Sequence, residues 1–331
     1  NFLYFLKNSE KYKHHKIYVL ENFISRDLAE HWDAAVAERF IWYSDGNFLK
    51  WELVKLLFEL QQLRVESIIY SNYSRKFTVD WLIGKVRARD KIAVDGDCIN
   101  EVAAVKFRGN RYYSELITVD PRPIHEFERN KQIFEIVTGE KSSLARPIIE
   151  KHQSNLTPNN SVVIFPGAGH SRKVWASENF NKLCQRIITE LKAPIILAAA
   201  KDGSSQIAEI RRGIPPEQLS CRTGLDLIGL CELIGGAGLL VAGDTAAIHV
   251  ATLLGIPAIC IANGELYSRF IPYPKQIPNT ITCIFPSNYT EDAGNYDRWS
   301  PFSIDEVRVD DVFHAVAKMM ARPIEKAIDP A

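Results

Sequence analysis

Between Ser161 and Ile261 the chain alternates short apolar runs with stretches of helical period, and few folds accommodate that alternation. Ser161-Val162-Val163-Ile164-Phe165, Ile195-Ile196-Leu197-Ala198, Leu239-Leu240-Val241 and Pro257-Ala258-Ile259-Cys260-Ile261 have strand length and show no polar alternation. Strands covered on both faces read this way. Between them, Phe180, Leu183, Cys184, Ile187, Ile188 and Leu191 fall on one helical face, as do Leu227, Leu230, Cys231 and Ile234. Strand, helix, strand, helix means a parallel sheet with helices on its faces. The punctuation agrees: Ser177 as a helix cap, Lys201-Asp202-Gly203 and Thr223-Gly224 as turns, and Gly235-Gly236 as a stop. Ser303 with Glu306 reads as a capping box for a last helix carrying Val312, Val316 and Met319.

The first half has the same rhythm, less cleanly. Strands are expected at 17–20, 39–43, 67–70 and 91–94, and helices at 29–38, around Leu53, Leu56, Leu57 and Leu60, at 77–86 and at 126–137. Residues 98–125 show no clear period. Residues 139–160 shift to Lys, Ser, Pro and Asn, a linker composition. A chain of 331 residues suits two cores. The expected division is a first domain over 1–145, a linker over 146–160, a second domain over 161–305 and a terminal helical segment over 306–331. The chain opens on Asn1, and Phe2, Phe5 and Leu6 have helical spacing. It is therefore expected to begin inside a helix, with the strand and turn that precede such a helix lying upstream.

Charge and cysteine content remove several function classes. Lys plus Arg equals Asp plus Glu at 40 each, which gives no field for a polyanion, so nucleic acid is not an expected partner. The six cysteines include no C-x-x-C pair and read as reduced thiols. No apolar run approaches the roughly 20 residues of a membrane span, and no signal-peptide pattern opens the chain. The expected location is the cytoplasm, with peripheral contact at the inner membrane face left open.

Two strand-end turns carry glycine and polar groups: Gly167-Ala168-Gly169-His170-Ser171-Arg172-Lys173 and Gly243-Asp244-Thr245-Ala246-Ala247. In a parallel sheet both open on the carboxyl edge, where such folds bind ligands. The first lets backbone approach a ligand, and Lys173 adds a point charge suited to phosphate. The second enters a helix whose first N–H groups favour an anion. His249, four residues after Thr245, lies on the same helix face. The plainer reading makes Asp244 an N-cap and His249 a packed histidine. Neither turn is G-x-G-x-x-G or a P-loop, which disfavours a nicotinamide enzyme or a P-loop NTPase.

The succession of Phe165-Pro166-Gly167-Ala168-Gly169, Lys173-Val174-Trp175, Thr223-Gly224 with Leu227 and Leu230, and Gly243-Asp244-Thr245 with His249 and Gly255-Ile256-Pro257 resembles glycosyltransferase family 9. These are the ADP-heptose:lipopolysaccharide heptosyltransferases. The resemblance covers about residues 161–275 and implies an α/β GT-B fold, two Rossmann-like parallel-sheet domains facing across a cleft, here without the first strand of the N-terminal domain. The last helix of such folds often returns to the first domain. It implies an inverting bacterial transferase that needs no metal or cofactor and moves a sugar, with heptose expected, from an ADP-sugar to a lipopolysaccharide-core or other surface-glycan acceptor.

Carried over by motif, Ser171 and Lys173 would meet the phosphates, Gly167 and Gly169 would line the donor nucleotide with their backbone, and Asp244, Thr245, Ala246 and Ala247 would shape the diphosphate and sugar pocket with His249 beside them. Asp202 would lie near the nucleoside, and Arg269 would touch the donor or pack. Thr245-Ala246-Ala247 departs from the family's usual glycine after Ser or Thr. The family's base, an aspartate in a Gly-Asp turn after the first strand, has no counterpart, since Asp95-Gly96-Asp97 has the wrong position and order. Either the natural start lies upstream of Asn1, or the base has been lost and the protein binds a nucleotide sugar without catalysing. Arg75, Lys76, Lys85, Arg87, Arg89 and Lys91 form a basic run that could face an anionic lipid or sugar, or simply be a solvated face.

Overall fold

The computed structural model describes residues 2–44, 50–122, 124–143, 160–200, 203–277, 280–290 and 300–321. The chain divides into two compact units, Asn1–Leu144 and Ala145–Ala331.

The first unit runs α1 (Phe2–Asn8), β1 (Tyr18–Asn22), α2 (Arg26–Trp32), β2 (Arg39–Tyr43), α3 (Lys50–Gln62), β3 (Ser67–Tyr70), α4 (Phe77–Lys85), β4 (Asp90–Val94), α5 (Ala103–Asn110), β5 (Glu115–Ile117) and α6 (Glu126–Thr138). β1 pairs with β2 and β3-β4-β5 form a second group, all parallel. Ile92, Val94 and Ile117 from the strands meet Ile133, Phe134 and Val137 of α6 in one core, with Leu6 of α1 beside them. The helix expected over 29–38 stops at Trp32, because the Glu38 N–H donates to Ile17 O and draws the chain into β2. The basic run is not uniform, with Arg75 buried and Lys85, Arg87 and Arg89 exposed. Arg75 is buried against Asp80 at 3.4 Å, Arg89 pairs with Glu66 and Asp90, and Lys91 Nζ donates to Gly84 O.

The second unit runs β6 (Val162–Phe165), α7 (Ser177–Arg186), β7 (Ile195–Ala200), α8 (Ser204–Ile210), β8 (Leu219–Leu225), α9 (Leu227–Gly235), β9 (Leu239–Gly243), α10 (Ala246–Leu254), β10 (Ala258–Ile261), β11 (Ile281–Ile284) and α11 (Val309–Met320). The strands form one parallel sheet in the order β11-β10-β9-β6-β7-β8. β6 and β9 are therefore neighbours although two strands separate them in sequence, with Phe165 opposite Ala242. Chain direction reverses its sideways progress there, and open parallel sheets bind ligands outside the carboxyl ends of the strands at such a switch point.

Three local expectations are corrected. Thr223-Gly224 lies inside β8, where Gly224 takes φ +72 at a strand irregularity, rather than forming a turn. Ser177 is the first helical residue rather than the cap, the position before it being Ala176, whose N–H donates to Asp305 Oδ1 at 2.8 Å. Ser303 caps only the short turn Ile304–Glu306, and α11 starts afterwards at Val309. Helix α11 buries Val312, Phe313 and Val316 in the second unit's own core, so its apolar face is used there; residues 322–331 lie outside the described residues. No described helix is long and apolar enough to cross a membrane.

Candidate functional site

The turn after β6 and the turn after β9 leave adjacent strands at the switch point, so their side chains meet. Lys173 ends a single 3-10 turn, Ser171–Lys173, and its Nζ lies 2.7 Å from Asp244 Oδ2. Both side chains are mostly buried, at 17% and 9% exposure, so the pair is little screened by solvent. The backbone is close as well. A Cβ on Gly243 would come within 3.0 Å of Lys173 O, so the glycine allows the two turns to touch.

A third strand end joins them. Glu265 follows β10, 8% exposed, with Oε1 3.8 Å from Lys173 Nζ. Gly264 before it takes φ +84, and a Cβ there would sit 2.1 Å from Tyr289 Cε2, so only glycine fits on both counts. Asn263 ties the turns together: its Nδ2 donates to Arg172 O at 3.4 Å, its Oδ1 accepts from the Glu265 N–H at 3.1 Å, and its carbonyl accepts from Ser300 Oγ. One ammonium thus stands between two carboxylates.

Helix α10 starts beside this group with its first turn open. Thr245 occupies the cap position but makes no capping bond, and its Oγ1 has no hydrogen-bond partner among the described residues. Asp244, the other residue able to cap, is engaged with Lys173. Helix α9 shows the contrast, since Asp226 Oδ1 there accepts from the Gly229 N–H at 2.7 Å. An uncapped helix start with an adjacent lysine can hold a phosphate through backbone N–H groups, dipole and point charge together.

The other expected residues divide. Gly167 and Gly169 border open space: a Cβ at Gly169 would meet nothing within 4 Å, and one at Gly167 only Phe165 at 3.9 Å. Ser171 and Ala246 are exposed, whereas Ala247 is buried and can offer only its backbone. Asp202 lies outside the described residues. Arg269 is buried at 6% exposure, with its guanidinium 5.3 Å from the Phe270 ring.

Residues 129–281 match the family model described as glycosyltransferase family 9 (heptosyltransferase). This segment carries a family 9 glycosyltransferase domain. No curated protein sequence matches the chain. Among solved structures, a glycosyl transferase family 9 protein from Veillonella parvula DSM 2008 is similar at 14% identity and TM-score 0.72, covering 96% of this chain and 91% of that one. The E. coli heptosyltransferase WaaC with ADP-2-deoxy-2-fluoro heptose is similar at 14% identity and TM-score 0.69, over 96% and 94%. E. coli ADP-heptose lps heptosyltransferase II matches at the same identity and TM-score, over 96% and 93%. At that identity the likeness is one of fold, and the fold class is the GT-B of these heptosyltransferases.

Within the matched segment, His249 is held by a neighbouring side chain. Its Nδ1 lies 2.8 Å from Tyr273 Oη, and both rings stand edge to face 5.9 Å apart. Burial holds the imidazole below its ordinary 6.5, against the opposing pull of Asp244, and pushes the Tyr273 phenol up to about 12. Both groups are therefore neutral at pH 7, and the pair anchors the loop after β10 to α10. The unfolded chain binds a proton at this histidine near pH 6.5 while the folded chain does not, so folding stability falls as pH drops below that value. The expected slope is at most about 1.4 kcal/mol per pH unit. Unfolding free energies measured between pH 7 and 5 should show His249→Gln losing that part of the slope; an unchanged slope would remove the assignment.

No local pattern in the sequence marks Asn263 or Tyr273 as part of the site. Glu265 does carry a local signal, because Asn263-Gly264-Glu265 is a third buried-strand end followed by glycine and polar groups.

Proposed function

We propose that the protein is an inverting sugar transferase that takes heptose from an ADP-sugar and passes it to a lipopolysaccharide-core or related surface-glycan acceptor, without a metal. The observation that carries this reading is the meeting of Lys173 and Asp244 beside the uncapped start of α10, at the switch point of the sheet. The choice of donor is supported by the WaaC structure, which holds an ADP-heptose analogue.

As the bond from the sugar's anomeric carbon to the diphosphate oxygen breaks, negative charge gathers on the departing ADP. Lys173 and the first N–H groups of α10 would lie where that charge develops, fixed in advance and partly shielded from water. The acceptor hydroxyl attacks the opposite face of the anomeric carbon, and its proton passes to a base. Neither acidic residue of Asp95-Gly96-Asp97 is offered for that role: Asp95 pairs with Lys106 at 2.9 Å, and Asp97 accepts from Ser74 Oγ and the Ile99 N–H.

The test supplies the full natural chain with ADP-heptose labelled in the sugar and with a lipopolysaccharide-core acceptor. The expected result is transfer of label with one ADP released per sugar moved. Tight binding of ADP-heptose with no transfer to any acceptor would instead make the protein a nucleotide-sugar binder.

A further inference from the structure

Glu265 is buried with one oxygen unmet. Its Oε2 has no hydrogen-bond partner among the described residues and is shut off from solvent, and its Oε1 lies 3.8 Å from Lys173 Nζ, beyond hydrogen-bond length. Lys173 does not meet the demand, because Asp244 holds it at 2.7 Å. A carboxylate oxygen can only accept, and an unpaired one in the interior keeps its full desolvation cost. The group therefore calls for a donor such as a hydroxyl. A phosphate has none to offer.

Position selects which part of a ligand supplies it. In a doubly wound sheet with this strand order, a bound nucleotide has its phosphates over the switch point and its ribose beside the acidic end of the second strand. Here the second strand is β7, so a nucleoside half would lie over β6 and β7. The remaining half of the ligand would then lie over β9 and β10, the side on which Glu265 stands. On a nucleotide sugar that half is the sugar, with its row of hydroxyls. The carboxylate is well held for the task, its backbone fixed by Asn263 Oδ1 and by the close packing of Gly264 on Tyr289. Its last torsion remains soft and two-fold, so either oxygen can be turned outward.

We propose that Glu265 accepts hydrogen bonds from the sugar hydroxyls of the donor and makes the site prefer a nucleotide sugar over the free nucleotide. The proposal rests on the nucleotide-sugar reading above. Calorimetric titration of the wild-type chain, Glu265→Gln and Glu265→Ala with ADP and with ADP-heptose separates the two, with thermal melting of each variant as the check on folding. The wild type is expected to bind ADP-heptose more tightly than ADP. Glu265→Ala should weaken ADP-heptose about tenfold or more and leave ADP within about twofold, or tighter, since a negative charge has gone. Glu265→Gln keeps the shape and one acceptor oxygen, should recover part of the loss, and decides the matter if the alanine variant does not fold. Equal losses for both ligands, or an unchanged preference in Glu265→Gln and Glu265→Ala, would overturn the proposal for Glu265 alone. A folded wild type that binds neither ligand would overturn the nucleotide-sugar reading and this proposal with it.

Discussion

Replacing Lys173 with alanine is expected to lower kcat/KM for sugar transfer by about 100-fold to 1,000-fold, the range for removing one fixed group that stabilises developing charge. ADP affinity should fall with it, because the same ammonium would face the diphosphate in the ground state. The variant also leaves Asp244 and Glu265, 9% and 8% exposed, without the cation that stands between them. Breaking a buried pair from one side costs about 3–5 kcal/mol, so lost activity alone does not separate a chemical role from a structural one. The double variant Lys173→Ala with Asp244→Asn removes the nearer of the two uncompensated charges, the one that Lys173 contacts at 2.7 Å, and Asp244→Asn alone is the control for the loss of that carboxylate. If stability returns and transfer does not, Lys173 acts on the donor; if transfer returns with stability, the phosphate assignment fails. Lys173→Arg should keep the charge but not the compact point geometry, and give an intermediate rate.

The second unit's strands are legible from the sequence because both of their faces are buried: Val162, Val163, Ile164, Leu240 and Val241 are fully enclosed, and nothing polar interrupts them. The edges are another matter. β11 has one exposed residue in four and follows a proline-rich loop, so no uniform apolar run announces it. α5 carries Phe107 at 75% exposure and no apolar stripe, so neither period describes it. The site is legible in halves. Each turn shows its glycine and polar groups locally, but the approach of Lys173 to Asp244 across 71 residues depends on β6 lying next to β9, and strand order leaves no mark in a periodic pattern. The same gap hides Glu265, whose part in the group exists only because β10 borders β9. His249 shows the opposite case. Its spacing from Thr245 predicts a shared helix face, yet its partner is Tyr273, on a loop whose path no local pattern describes.

Trp175→Ala should be the most damaging single core change. The indole is 1% exposed, stands edge to face with Phe180 at 5.0 Å, and donates from Nε1 to Val307 O at 3.1 Å. Truncating a buried tryptophan costs about 3–5 kcal/mol through lost transfer energy and the cavity left behind. For a unit of this size that is a fall in Tm of roughly 10 °C, readable by calorimetry. Trp175→Phe fills much of the space and loses chiefly the bond to Val307, leaving that carbonyl unmet at a cost of about 1–3 kcal/mol. The two variants also probe the site, because Trp175 lies two residues beyond Lys173 and, with the Ala176 bond to Asp305, fastens the turn after β6 to the segment before α11. Trp175→Phe should therefore weaken ADP binding by less than Lys173→Ala does while melting lower than wild type. A Trp175→Ala variant within 1 °C of wild type would show that this turn is held by something other than its indole.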